Sequence, residues 1–357
     1  MEFSLGPLFP LLSRERSAGR AMALGILLET AGSTYARPGA LLLIGRDGEY
    51  AGLISGGCLE GDLAEHARAV IDSGVARLVN YDLRNPDDLV WGLGSGCEGA
   101  MHILLVRVGP VEEWQPLEHL SAAFAAGTPT AIGIVAESHD TRIPTGSCLL
   151  PDSDTSRLLP SLERGVFDAA SHAPAPGWFQ EPGRCRVFLL PLIMPPRLLL
   201  LGAGPDARPV CQFAAQLYWQ VTLADHRPAF AVATRFPAAE RLVIVRPEAL
   251  SESLDLSRFH AAVVMSHHLE SDREYLRALA RSELPYVGLL GPAARRDKLL
   301  AQLGADAQRL RTRLHAPVGL DLGGRSPPAI ALSIVAEILE FLQGRSGDAV
   351  SSSREAR

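Results

Sequence analysis

Cysteine is scarce in this chain: there are five among 357 residues, an odd number, with no C-x-x-C pair and no Cys/His run at zinc spacing. That scarcity excludes a disulfide-stapled scaffold and a structural zinc finger, and it points to free thiols in a reducing compartment. An excess of positive charge is lacking too. A net charge of -6 and a pI near 5.9 argue against nucleic acid or an anionic membrane as the main partner. No apolar run is long enough to cross a bilayer; the longest, Val187 to Leu201, is interrupted by Pro191, Pro195, Pro196 and Arg197. From Met1 and Glu2 to Pro10 no basic segment precedes an apolar one, so a secretory signal is not expected and a cytoplasmic location is.

What is present reads as two domains, as the length alone suggests. Short apolar strands are expected over Ala21 to Thr30, Ala40 to Ile44 and Ala51 to Ile54, the last two joined by a turn at Asp47-Gly48. An amphipathic helix from Cys58 to Gly74, strands at Ala76 to Tyr81 and Met101 to Val106, a helix from Val111 to Ala126 and a strand from Thr130 to Ala136 complete a mixed α+β half. Between Asp152 and Gly183 the pattern weakens into Ser, Asp, Pro and Gly, with Cys185 to Leu190 as the last strand before the stiff Pro195-Pro196 pair. Strand and helix patterns then alternate to the end: Arg197 to Leu201, a helix to about Tyr218, Val221 to Ala224, a helix near Ala229 to Thr234, Leu242 to Val245, Ala261 to Met265, a helix, Tyr286 to Leu290 and a helix. Such alternation predicts a parallel sheet. The fold class expected is α/β: an N-terminal α+β domain over 1–193, a Rossmann-like doubly wound parallel-sheet domain over 194–345, and a disordered tail over 346–357.

Two cysteines carry the most chemistry. Cys58 in Ser55-Gly56-Gly57-Cys58-Leu59-Glu60 and Cys97 in Gly92-Leu93-Gly94-Ser95-Gly96-Cys97-Glu98-Gly99 stand 39 residues apart, each in a glycine-rich turn. Glycines beside a cysteine let backbone N–H groups converge on whatever the sulfur touches, which makes Gly56, Gly57, Gly94 and Gly96 part of the candidate site. Leu59, Leu63, Ala67 and Val70 share one face of the expected helix, placing Cys58 at the positive end of its dipole, where a thiol pKa falls. Each cysteine alone is as readily explained by packing. Two in matched turns of one domain favour a shared site.

The second domain opens with a nucleotide fingerprint. The strand Leu198 to Leu201 runs into Gly202-Ala203-Gly204-Pro205-Asp206-Ala207, and Asp225 closes the next strand 21 residues after Gly204. Gly202 would make the tight turn, Gly204 would admit a pyrophosphate, and Asp225 would meet ribose hydroxyls. Asp206, a negative charge beside the phosphate position, speaks for an empty cleft instead. Ser266-His267-His268 follows a strand at the same sheet edge, where the histidines either relay protons or cap a helix.

Four segments resemble the xanthine dehydrogenase accessory factor (XdhC/CoxI) family: Gly32-Ser33-Thr34-Tyr35-Ala36-Arg37-Pro38-Gly39-Ala40, Ile54 to Glu60, Trp91 to Gly99, and His315-Ala316-Pro317-Val318-Gly319-Leu320-Asp321-Leu322-Gly323 followed by Ile330 to Glu337. The chain departs from the family pattern at Pro205, at Ser266-His267-His268, at Gly291-Pro292 and at Pro328-Ala329. The resemblance implies a molybdenum-cofactor chaperone, an accessory maturation factor rather than a catalyst. Such a factor binds the molybdopterin cofactor, in its plain or dinucleotide form, protects it while a NifS-like cysteine desulfurase adds the sulfido ligand, and hands it to a xanthine dehydrogenase or related molybdenum hydroxylase. A homodimer is expected. In that role Cys58 and Cys97 would supply soft sulfur to the molybdenum, and Arg37 a fork for phosphate or pterin oxygens. Gly202, Gly204, Asp225 and His267 would line a nucleotide cleft. Two other readings stay open: an NAD(P)-dependent oxidoreductase, with His267 or His268 as proton donor, and a scaffold that holds no cofactor.

Overall fold

The computed structural model describes residues 5–84, 99–151, 153–154, 158–159, 166–172, 175–192 and 194–344. It divides into two units, Met1–Met194 and Pro195–Arg357. The expected tail over 346–357 lies outside the described residues.

In the first unit, helix α1 (Phe9–Ser17) leads into strands β1 (Met22–Gly32), β2 (Leu41–Gly45) and β3 (Tyr50–Gly52), helix α2 (Glu60–Ser73), and strands β4 (Arg77–Asp82) and β5 (Gly99–Val108). These strands form an antiparallel sheet in the order β3-β2-β1-β5-β4. Its two faces follow from the period-2 apolar pattern. Ala23 and Leu27 of β1, Leu42 and Ile44 of β2, and Ile103 and Leu105 of β5 pack under α2 with Leu63, Ala67 and Val70. The alternate positions Leu24, Ile26, Leu43, Leu104 and Val106 face a different core, shared with α1 and with Ile132, Ile134, Phe188 and Leu190 of a second sheet. Because α2 buries a full apolar stripe, its position against β1, β2 and β5 is fixed, and so is the loop that leads into it.

That second sheet departs from expectation. It has four strands, β6 (Ala131–Ser138), β7 (Cys148–Leu149), β8 (Gly177–Glu181) and β9 (Cys185–Pro191), in the order β7-β6-β9-β8. Helix α3 (Leu117–Ala126) precedes it and α4 (Val166–Ser171) lies within it in sequence. So the weakly patterned stretch contains a strand and a helix: β8 pairs antiparallel with β9 through the tight turn at Gly183 (φ 70°), a pairing no local periodicity announces. The helix expected from Val111 also shortens to α3. Pro116 lacks an amide proton and disfavours helical dihedrals at its predecessor, and Glu113 and Trp114 take positive φ, so the first six residues form only a 3-10 turn and a loop.

The second unit is a six-stranded, wholly parallel sheet: β10 (Arg197–Leu201), β11 (Gln220–Asp225), β12 (Arg241–Ile244), β13 (Ala261–Val264), β14 (Val287–Leu289) and β15 (Leu314–His315), ordered β12-β11-β10-β13-β14-β15. Counted within the unit this is 3-2-1-4-5-6, the doubly wound Rossmann order, whose direction reverses beside β10. Leu198 and Leu200 face helices α5 (Ala207–Gln216) and α8 (Pro327–Gln343); Leu199 and Leu201 face α6 (Leu269–Ala280) and α7 (Ala293–Leu303). The helix expected near Ala229 to Thr234 is instead a series of single turns, Phe230 to Arg227 and Phe236 to Val232. Bracketed by Pro228 and Pro237, the segment is too short to offset the cost of helix nucleation.

Candidate functional site

Helix α2 begins at Glu60 with Leu59 in the capping position, so Cys58 sits in the loop ahead of the helix rather than in its first turn. That loop is pinned by one buried carboxylate. Glu60 accepts hydrogen bonds from the backbone N–H of Ser55 (2.8 Å), Gly57 (2.9 Å) and Ile54 (3.2 Å), and from the Ser55 hydroxyl. Ser55 Oγ in turn accepts the N–H of Leu59 at 2.8 Å. Burial by itself would raise the Glu60 pKa, but the Ser55 hydroxyl and the N–H groups of Ser55 and Ile54 outweigh it and hold the carboxyl below its usual range. The result is a loop whose base is rigid and buried while Gly56, Gly57 and Cys58 are exposed.

Both glycines need their conformation, Gly56 at φ 76° and Gly57 at φ 105°. A Cβ on Gly56 would meet the Tyr35 ring at 3.2 Å, so the Gly32 to Gly39 segment lies against the cysteine loop. The same segment meets the end of the second cysteine motif. Gly32 pairs with Gly99, and a Cβ at Gly99 would lie 2.5 Å from Thr34 Cγ2 and 2.6 Å from the Ser33 carbonyl. Gly99, the Gly32 to Gly39 segment and the Cys58 loop therefore meet at one end of the five-stranded sheet. Arg37 is exposed on this segment. Cys97, Gly94 and Gly96 lie outside the described residues. Among the described residues the N–H groups of Gly56 and Cys58 have no hydrogen-bond partner, and no three His, Cys, Asp or Glu side chains are grouped to hold a metal ion. The other described cysteines are held as thiols: burial raises the pKa of Cys148, Cys185 and Cys211, the last to about 11.

Sequence reasoning passed over Glu60. Its signal was there, as the one acid closing an otherwise uncharged loop that starts with a serine.

In the parallel sheet, Gly202 (φ 120°) has the backbone of Ser266 2.6 Å from where a Cβ would stand, so β10 and β13 can part only around a glycine. Gly204 lies beside the His267 ring. His267 itself takes φ 62°, and its Nε2 meets Asp206 Oδ2 at 2.9 Å, across the start of α5. His268 caps α6: its Nδ1 accepts the N–H of Ser271, the second of the two roles the sequence allowed. Asp272, fully buried, gathers the Ser266 hydroxyl and the Arg295 guanidinium, Nη2 at 2.6 Å. Asp225 closes β11 as expected, yet it is also fully buried, with Oδ2 accepting the N–H of Ala203 at 2.7 Å and both oxygens engaged by Arg227. The last motif is fastened to α8 by Glu337, which accepts from Tyr286 Oη (2.9 Å), His315 Nδ1 (2.8 Å) and the Gly319 N–H.

No helix among the described residues is long and apolar enough to cross a membrane. Two family models match: the XdhC and CoxI family over residues 15–82, and the XdhC Rossmann domain over residues 198–338. The chain is 32% identical over 323 residues to a Bacillus subtilis protein described as a probable xanthine dehydrogenase subunit, covering 89% of this chain and 92% of that one. It is 25% identical over 325 residues to the "Molybdenum cofactor insertion chaperone PaoD" of Escherichia coli, covering 90% and 83%. A crystal structure of a protein called a xanthine dehydrogenase, from Bacillus halodurans, superposes with a TM-score of 0.74 at 28% identity, over 94% of this chain and 96% of that one.

Proposed function

The chain belongs to the XdhC and CoxI family, and from that membership we propose that it is a molybdenum-cofactor chaperone. It holds the molybdopterin cofactor, shields it during sulfuration by a NifS-like cysteine desulfurase, and delivers it to a xanthine dehydrogenase-type molybdenum hydroxylase. The relative named as a cofactor insertion chaperone supports the role, and the relatives named for xanthine dehydrogenase support the acceptor.

The observation that carries this reading is the Cys58 loop. An exposed cysteine stands beside two N–H groups that have no partner among the described residues, those of Gly56 and Cys58, on a loop whose base cannot shift without breaking the Glu60 bonds. That donor set fits a ligand with a soft metal at one end and anionic oxygens beside it. Cys58 would hold the metal end, the N–H groups of Gly56 and Cys58 would donate to the oxygens, and Arg37, exposed on the neighbouring segment, would meet a phosphate. Once delivered, the cofactor supplies the molybdenum centre on which the hydroxylase acts. Glu60 acts only by position, keeping the loop pre-formed so that ordering it does not weaken binding.

The test is to purify the full chain from cells making the cofactor, oxidise it, and read released pterin by fluorescence and molybdenum by mass spectrometry. Pterin and molybdenum near one per chain, falling at least about tenfold in Cys58→Ser with the thermal midpoint unchanged, is the expected outcome. Absence of both from the wild type, or full retention in Cys58→Ser, overturns the reading.

A further inference from the structure

The carboxyl edge of the parallel sheet carries a second group of side chains, for which holding a cofactor at Cys58 has no use. In a sheet of this order the ribose of a bound nucleotide lies beyond the end of the strand next to the glycine turn, here β11. A ribose with a free 2′,3′-diol needs carboxylate oxygens open to it. Asp225 offers none, because it is fully buried and four donors already converge on it: the N–H of Ala203, and the N–H, Nε and Nη2 of Arg227, all between 2.7 and 2.9 Å.

What faces outward at this position is cationic and aromatic. Arg227 gives Nε and Nη2 to Asp225 and keeps Nη1 without a partner among the described residues, with a third of its side chain exposed. Its guanidinium lies 4.0 Å from the centre of the Phe230 ring, and a second guanidinium, that of Arg235, stands 5.0 Å from the same ring. Arg235 has no acidic partner among the described residues. One buried polar atom beside them also lacks a hydrogen-bond partner: His226 Nδ1, 3.6 Å from Asp225 Oδ1. Native interiors rarely leave such an atom unpaired, so it marks a place where something polar belongs.

We propose that this edge binds a nucleotide whose ribose carries a 2′-phosphate, a ligand of the NADP type, and discriminates against the free diol of the NAD type. Arg227 meets the 2′-phosphate while Asp225, which never touches the ligand, holds its guanidinium in plane; Arg235 adds the second charge. Stacking on Phe230 keeps both cations where the phosphate arrives. At the other end of the glycine turn the Asp206 carboxylate, paired with His267, lies where a pyrophosphate would pass, so the binding energy shifts toward the ribose phosphate.

The experiment is isothermal titration of the full chain with NADPH, NADH, 2′-AMP and 5′-AMP. NADPH should bind at least about tenfold more tightly than NADH, and 2′-AMP more tightly than 5′-AMP. Arg227→Gln leaves Asp225 short of a partner and lowers stability, so Arg235→Gln, which breaks no ion pair among the described residues, is the deciding variant. It should cut the NADPH preference to about threefold or less with an unchanged thermal midpoint. Equal affinity for NADPH and NADH, no heat with NADPH, or a preference that survives Arg235→Gln overturns the proposal. Cys58→Ser should leave NADPH binding intact, so failure of the pterin test and failure of this one are told apart.

Discussion

Replacing Glu60 by alanine should loosen the cysteine loop and be visible in the stability of the whole first unit. The carboxylate serves three backbone N–H groups and one hydroxyl, and alanine offers none of them an acceptor; glutamine is the milder change, because Ile54 and Ser55 share the one oxygen, Oε1, that an amide can keep. Ile54 and Ser55 are buried, so their N–H groups find no water, whereas Gly57 is exposed and is hydrated when released. Two orphaned buried donors at about 1 to 3 kcal/mol each put the loss at about 2 to 6 kcal/mol. A unit of this size loses about 2 to 4 °C per kcal/mol, so its thermal midpoint should fall by roughly 4 to 24 °C. Circular dichroism melts of the full chain measure it. Alkylation of Cys58 should quicken in parallel, because the thiol then samples more open conformations. A midpoint within about 2 °C of the wild type, with an unchanged alkylation rate, would refute the idea that Glu60 fixes this loop.

Among the four described cysteines, Cys58 should react with iodoacetamide at pH 8 at least about tenfold faster than Cys148, Cys185 and Cys211, whose thiols burial protects; peptide mapping showing comparable labelling of Cys211 would contradict the burial assigned to α5. Gly202→Ala would force a Cβ against the Ser266 backbone at positive φ and should cost the parallel-sheet unit about 3 kcal/mol, the sum of a strained dihedral and an overpacked contact. A urea transition at the wild-type midpoint would show that the two strands part more easily than the geometry allows. Glu60, Asp225 and Glu337 all bind protons more weakly folded than unfolded: burial works against this in each, and hydrogen bonds outweigh it, from Ser55 for Glu60, from Arg227 and Ala203 for Asp225, and from His315 and Gly319 for Glu337. Their stabilisation is therefore complete above about pH 4.5 and is lost as pH falls from there through the lowered folded values. Denaturant melts flat from pH 6 to about pH 5 and declining below that would agree, while a decline centred near pH 6 would point to histidines instead.

Much of the architecture was written locally. The strands β1, β2, β5 and β10 announce themselves because side chains alternate or run apolar within the strand itself, and the glycines at 56, 57 and 202 because a left-handed or crowded backbone admits nothing larger. The parallel order of the second sheet follows from strand and helix alternating along the chain. Other features depend on partners distant in sequence, and no window of residues could contain them. Strand β8 exists because β9 offers it an edge, although its own sequence reads as loop. The Gly32–Gly99 pairing sets Gly99 against the arginine-bearing segment, which itself lies on the Cys58 loop, only once β1 and β5 are in register. Asp225 shows the difference most sharply. Its spacing from Gly204 placed it at the end of the strand beside the glycine turn, and the fold put it there. Whether its oxygens face a ligand or the protein was decided by Arg227 and the Ala203 amide, since a carboxylate in a dry interior binds whichever donors reach it first, and those donors are fixed by packing rather than by spacing.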